Sequence, residues 1–88
     1  MGSWQIVFDR PAEKSLKRMP ANLRRRILAA AYRLAKDPYP ATSTRLVGHE
    51  KLYRLRVGDW RIIYSVEYNR LIILVMDVGP RGSVYRKF

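Results

Sequence analysis

Arg54, Arg56 and Arg61 stand in the stretch LYRLRVGDWRIIYSV, which otherwise alternates apolar and aromatic residues. A guanidinium keeps its charge at every accessible pH and presents a planar fork of donors. A group of them therefore suits the holding and polarising of an anion, phosphate above all, and not the uptake of a proton. Whether the three meet depends on register, and Gly58-Asp59 supplies it. A two-residue turn there sets Val57 opposite Trp60, Arg56 opposite Arg61, Leu55 opposite Ile62 and Tyr53 opposite Tyr64. Parity then sorts the faces. Tyr53, Leu55, Val57, Trp60, Ile62, Tyr64 and Val66 share one, while Arg54, Arg56, Arg61, Ile63 and Ser65 share the other. Arg56 directly across from Arg61 destabilises a hairpin by about 0.2 to 1 kcal/mol unless an anion lies between them. Of the carboxylates near in sequence, Glu50, Asp59 and Glu67, none falls on the arginine face between positions 54 and 65, and Glu67 shares its parity only at the far end. A hairpin built around like charges breaks a local rule, and such breaks are expected at functional sites.

The elements that must position this hairpin are legible along the chain. Trp4 to Phe8 is a run of strand formers, and Asp9-Arg10-Pro11 is a helix start with proline in the first turn. Ala12, Leu16 and Met19 recur at helical spacing until Pro20. Leu23, Ile27, Ala30, Ala31 and Leu34 then continue the pattern up to Asp37-Pro38, which predicts a helical hairpin. Its outer residues, Lys14, Lys17, Arg18, Arg24, Arg25, Arg26, Arg33 and Lys36, read as a solvated basic face. Residues 37–50 carry two prolines and no periodicity and read as a loop. Tyr53 to Val57, Trp60 to Glu67 and Leu71 to Val78 follow as strands of an antiparallel meander, the last apolar on both faces except at Asp77, as in a central strand. The predicted fold class is α+β: an N-terminal strand, a helical hairpin and a three-stranded meander, giving a small twisted sheet packed on two helices. The other side of the sheet is expected to stay partly open. One domain over residues 1–88 is expected, with a single core.

Charge narrows the partners. The chain carries 18 Lys plus Arg against 7 Asp plus Glu, a formal charge of +11, and so wants a polyanion. There is no cysteine, which excludes disulfides and thiolate metal sites and fits a reducing cytoplasm. The longest apolar run, Leu71 to Met76, is far short of a membrane span, and no signal segment opens the chain. His49, the sole histidine, has no partner at a catalytic spacing and reads as structural; no metal and no cofactor are expected. In VGPRGSVYRKF, Gly79 and Gly82 flank Pro80-Arg81 and permit a bend that brings Arg81 and Tyr85 toward the open face.

With strand, helical hairpin, RLVGHEKLYRLRVGDWRIIYSV, an apolar strand and DVGPRGSVYR in this order, nearly the whole chain resembles the RelE/ParE superfamily of toxins from type II toxin–antitoxin pairs, and within it the RelE branch. The resemblance implies a ribosome-dependent mRNA endoribonuclease that cuts message in the A site beside ribosomal RNA. It also implies neutralisation by an acidic, RelB-like antitoxin, with the free toxin a monomer and the complex a higher assembly. It places the catalytic set at Arg56, Arg61, Arg81 and Tyr85 and the RNA-binding set at Arg54, Arg56, Arg61 and Arg81, to which Lys51 just before the hairpin is added as a further expected RNA contact. Metal-free cleavage then needs attack by the ribose 2′-hydroxyl, stabilisation of a charged phosphorane and protonation of the leaving 5′-oxygen. Arg61 and Arg81 suit the phosphorane, Arg54 and Arg56 the backbone or a stacked base, and Tyr85 the orienting or accepting of the first proton. Two departures stand out: arginine where relatives carry lysine on the first hairpin strand, and Pro80 where many carry histidine or a basic residue. A ParE-like gyrase poison and a catalytically silent RNA- and antitoxin-binding member are the alternatives on the same scaffold.

Overall fold

The computed structural model describes residues 4–48 and 51–80. Strand β1, Gln5–Phe8, runs directly into helix α1, Arg10–Arg18. Asp9 makes the junction: its carboxylate accepts from the Arg10 N–H at 2.9 Å, and its own N–H donates to Val75 O at 2.8 Å. One residue thus caps the helix and ties its start to the sheet. Glu13 in the first turn and Lys17 and Arg18 in the last complement the helix dipole. Met19 is extended, as a residue before proline must be, and Pro20 opens helix α2, Ala21–Arg33. Arg24 departs from the solvated face expected of it. Its Nε donates to Leu16 O at 2.8 Å and its Nη2 to Met19 O at 2.9 Å, so α2 supplies the C-terminal cap that α1 lacks.

The sheet has five strands in the order β1-β5-β4-β3-β2, with β2 at Ser43–Arg45, β3 at Leu52–Val57, β4 at Trp60–Glu67 and β5 at Ile72–Pro80. Two features exceed the expected meander. The loop read over 37–50 contains the short edge strand β2, antiparallel to β3, and β1 joins the sheet parallel to β5. Helices α1 and α2 carry the chain from β1 at one edge of the sheet to β2 at the other, and β3 and β4 then lead back to β5 beside β1. The last strand is also displaced from its expected span. Leu71 lies in the turn at φ 53°, half-exposed, and pairing continues through Pro80.

Ala12, Leu16 and Met19 of α1 with Ile27, Ala31 and Leu34 of the second helix and its cap pack on Leu55, Ile62, Tyr64, Val66, Ile73, Val75 and Val78. Val75 and Val78 are an odd number apart yet both enter this core. The register slips between Ile63 and Tyr64: Ile63 faces Asp77 and Tyr64 faces Val75, leaving Met76 as an extra residue. The opposite face is less open than expected at its centre, since Ile63 is fully buried and Ser65 and Asp77 nearly so. Among the described residues, no helix is long and apolar enough to cross a membrane.

Candidate nucleic-acid interface

The hairpin forms in the register expected of its turn: Tyr53↔Tyr64, Leu55↔Ile62, Arg56↔Arg61 and Val57↔Trp60. Gly58 takes φ 59° and Asp59 does not go positive, the pattern of a type II′ turn with glycine first. Two rows of residues then cross the face away from the helices. Thr44, Arg54, Ile63 and Asp77 make one, on β2 to β5; Arg56, Arg61 and Gly79 make the other. Arg54, Arg56 and Arg61 are therefore brought together on one face. The Arg56 and Arg61 Cα atoms are about 4.5 Å apart if they form the non-hydrogen-bonded pair next to the turn.

Their electrostatics differ. Arg56 is exposed, and among the described residues neither it nor Arg61 has a carboxylate at ion-pair distance. Arg61 is turned toward the turn: Nη1 donates to Trp60 O at 3.2 Å and more weakly to Gly58 O at 3.4 Å, while its buried Nε has no acceptor. A buried donor without a partner is costly. Arg26 of α2 comes up to the same turn, its Nη2 at 3.3 Å from where a side chain on Gly58 would begin.

Asp77 is the residue that local reasoning missed. The carboxylates nearest the hairpin in sequence are Glu50, Asp59 and Glu67, whereas this one comes from β5, and strict alternation would place it beside Ile73 and Val75 in the core. The slip at Met76 rotates it onto the arginine face, buried, with one carboxylate oxygen accepting from the Val78 N–H at 2.8 Å. Its signal was available: a lone carboxylate in an otherwise apolar strand.

Lys51 lies apart from the arginine rows. It borders a hollow on the helix side of the sheet together with Arg45, Tyr53 and Tyr68. Arg81 and Tyr85 fall outside the described residues, as do His49 and Glu50. Tyr64 is held neutral, its phenol pushed up by burial; Tyr39 is raised as well, by desolvation first and then by its hydrogen bond to Tyr68. Neither is a proton acceptor near neutral pH.

The comparisons with known proteins agree on one family. The family model for the ParE toxin of type II toxin-antitoxin system, parDE, matches residues 6–85. A protein named as toxin RelE1 from Methanocaldococcus jannaschii is 28% identical over 86 residues, covering 94% of this chain and 96% of that protein. Among solved structures, the archaeal RelE-RelB complex from Pyrococcus horikoshii matches with a TM-score of 0.79 and 30% identity, over 92% of this chain and 98% of that one. The isolated Escherichia coli RelE toxin matches with a TM-score of 0.78 at 20% identity, over 97% and 94%, which shows a shared fold.

Proposed function

Because this chain belongs to the ParE toxin family of type II toxin–antitoxin systems and is a toxin of RelBE type, we propose that it acts as a ribosome-dependent mRNA endoribonuclease in the cytoplasm. The observation that carries this reading is the Arg56–Arg61 pair, opposed across the hairpin with no carboxylate at ion-pair distance among the described residues. A phosphodiester oxygen placed over the pair relieves its repulsion.

The chemistry follows from what guanidinium groups can do. The 2′-hydroxyl attacks the adjacent phosphorus, and Arg61, already aimed by the Trp60 and Gly58 carbonyls, stabilises the charge that develops on the phosphorane. Arg56 clamps the same phosphate from the facing strand, and Arg54, one row along, holds the neighbouring backbone. Asp77 gives this otherwise cationic face its acidic member. By resemblance, Arg81 stabilises the phosphorane beside the leaving 5′-oxygen and Tyr85 orients or accepts the 2′-hydroxyl proton; the P–O5′ bond breaks to leave a 2′,3′-cyclic phosphate, and water protonates the departing 5′-oxygen. Much of the acceleration comes from an in-line geometry imposed on the message by the ribosome.

The partner that silences such a surface is acidic. The relatives of solved structure include toxins in complex with RelB, and we assign this chain an antitoxin of that kind, with the free toxin a monomer.

The test is a reconstituted translation reaction with purified protein, with message ends mapped by primer extension. Cuts within translated codons are expected, and Arg61→Ala lowers their rate by roughly 10²- to 10³-fold, the usual cost of one preorganised donor. Intact message beside a protein that still arrests growth overturns the reading. The ParE description of the family gives a second reading specific content, a gyrase poison, and trapped cleaved DNA with whole message is its signature.

A further inference from the structure

On the helix-side face of the sheet, opposite the arginine rows, lies a hollow of about 790 Å³ lined by Tyr39, Arg45, Lys51, Tyr53, Tyr68 and the Glu67–Arg70 pair. Its walls are flat rings, each braced by another. Tyr53 stacks on Tyr64 with centroids 5.7 Å apart and planes at 24°, and Tyr39 leans on Tyr53 at 5.0 Å. Trp4 meets Tyr68 edge to face at 5.1 Å, and the Tyr39 and Tyr68 hydroxyls are hydrogen-bonded to each other. The Arg45 guanidinium lies 5.9 Å from the centroid of Tyr53, its cross-strand neighbour. Tyr39 and Tyr68 remain 40% and 61% exposed at the margin of the core, whose Val66 lines the hollow and against which Trp4 and Tyr53 pack. Rings held in place but left in solvent, ringed among the described residues by three cations against one carboxylate, form a stacking platform with a phosphate rim.

We propose that this hollow binds one unstacked nucleobase of single-stranded RNA, with its phosphate on Arg45 and Lys51, as a second RNA contact separate from the arginine face. The proposal rests on the reading that RNA is the ligand of this toxin. Base chemistry fits the lining better than an acidic peptide does. Glu67 repels a run of carboxylates, whereas it accepts from the amino or imino groups of a base, and the Asn69 amide beside it offers both donor and acceptor. The volume lies in the roughly 300–1,000 Å³ range of small-ligand pockets. The edge strand connects the two sites: Thr44 stands in the Arg54 row and Arg45, its neighbour, at the hollow, so a chain crossing β2 passes from one face to the other.

The test uses the full chain, labelled hexauridine and two readouts, anisotropy and the fluorescence of Trp4, which touches Tyr68. Hexauridine is expected to change the Trp4 emission, a change that Trp4→Phe removes. Tyr68→Ala weakens binding about 5- to 150-fold, the loss of one stacked base, without altering the salt dependence, and Tyr68→Phe retains most of the affinity. Arg45→Gln instead lowers the slope of log affinity against log salt by about 0.7. Equal affinity in wild type and Tyr68→Ala overturns the proposal. So does a Trp4 response to a deca-glutamate peptide that hexauridine does not compete away. Message left whole while Tyr68→Ala loses hexauridine sinks the nuclease reading and leaves the hollow standing; message cut while Tyr68→Ala binds normally does the reverse.

Discussion

Arg56→Gln should make the free protein more stable while making it a poorer toxin. Arg56 is exposed, directly opposite Arg61, and its charge meets no carboxylate among the described residues. Two unit charges about 6 Å apart in water repel by about 0.7 kcal/mol, inside the range of about 0.2 to 1 kcal/mol for facing like charges in a hairpin. Glutamine keeps the length of the stem and removes the charge. For a domain of this size the gain corresponds to roughly 1 to 8 °C in Tm. The assay is thermal and urea unfolding of both proteins at about 0.1 M and about 1 M NaCl. The gap should close at high salt, where the screening length falls from about 10 Å to about 3 Å. Inorganic phosphate should stabilise the wild type more than the variant, because the anion binds the folded pair and has no such pair in the unfolded chain. A variant less stable than wild type at low salt, or a gap indifferent to salt, refutes the view of this pair as a strained anion site.

Arg24→Ala removes the two bonds that cap α1 and should destabilise by about 1 to 3 kcal/mol in urea unfolding, whereas Arg25→Ala, on the exposed face, should change it by less than about 0.5 kcal/mol. Gly58→Ala forces a side chain onto φ 59° and toward the Arg26 guanidinium, and should cost about 1 to 2 kcal/mol and lower message cutting together with stability. Tyr64→Phe loses the 2.6 Å bond to Pro38 O, for about 0.5 to 1.5 kcal/mol at neutral pH. The same phenol sets a pH dependence. Its folded pKa is raised by burial, so above pH 10 the unfolded chain releases a proton that the folded chain keeps, and stability falls as pH rises. Tyr64→Phe should flatten that alkaline decline in a pH series of urea midpoints.

The arginine grouping was legible because it is local. A two-residue turn with glycine in its first place leaves one register, and a period of two then decides which side chains share a face, so the grouping of Arg54, Arg56 and Arg61 follows from residues 53–66 alone. The break at Pro20 and the cap at Asp9 are equally local, since they depend on one residue's backbone.

What the tertiary structure decided is everything that joins distant segments. The parallel pairing of β1 with β5 brings together the first and last strands of the chain, and β2 is a strand only because β3 lies beside it. Arg24 carries the same composition signal as Arg25, and only the approach of α1 distinguishes a cap from a solvated cation. Asp77 is the sharpest case. Along the chain it shares parity with Val75 in the core, and one extra residue in the β4–β5 ladder turns it onto the arginine face. The sequence by itself determined which cations the hairpin gathers, because short-range backbone geometry allows one solution. Which carboxylate accompanies them was settled by packing, because a bulge forms where two strands must both fill a core and no single strand carries that information.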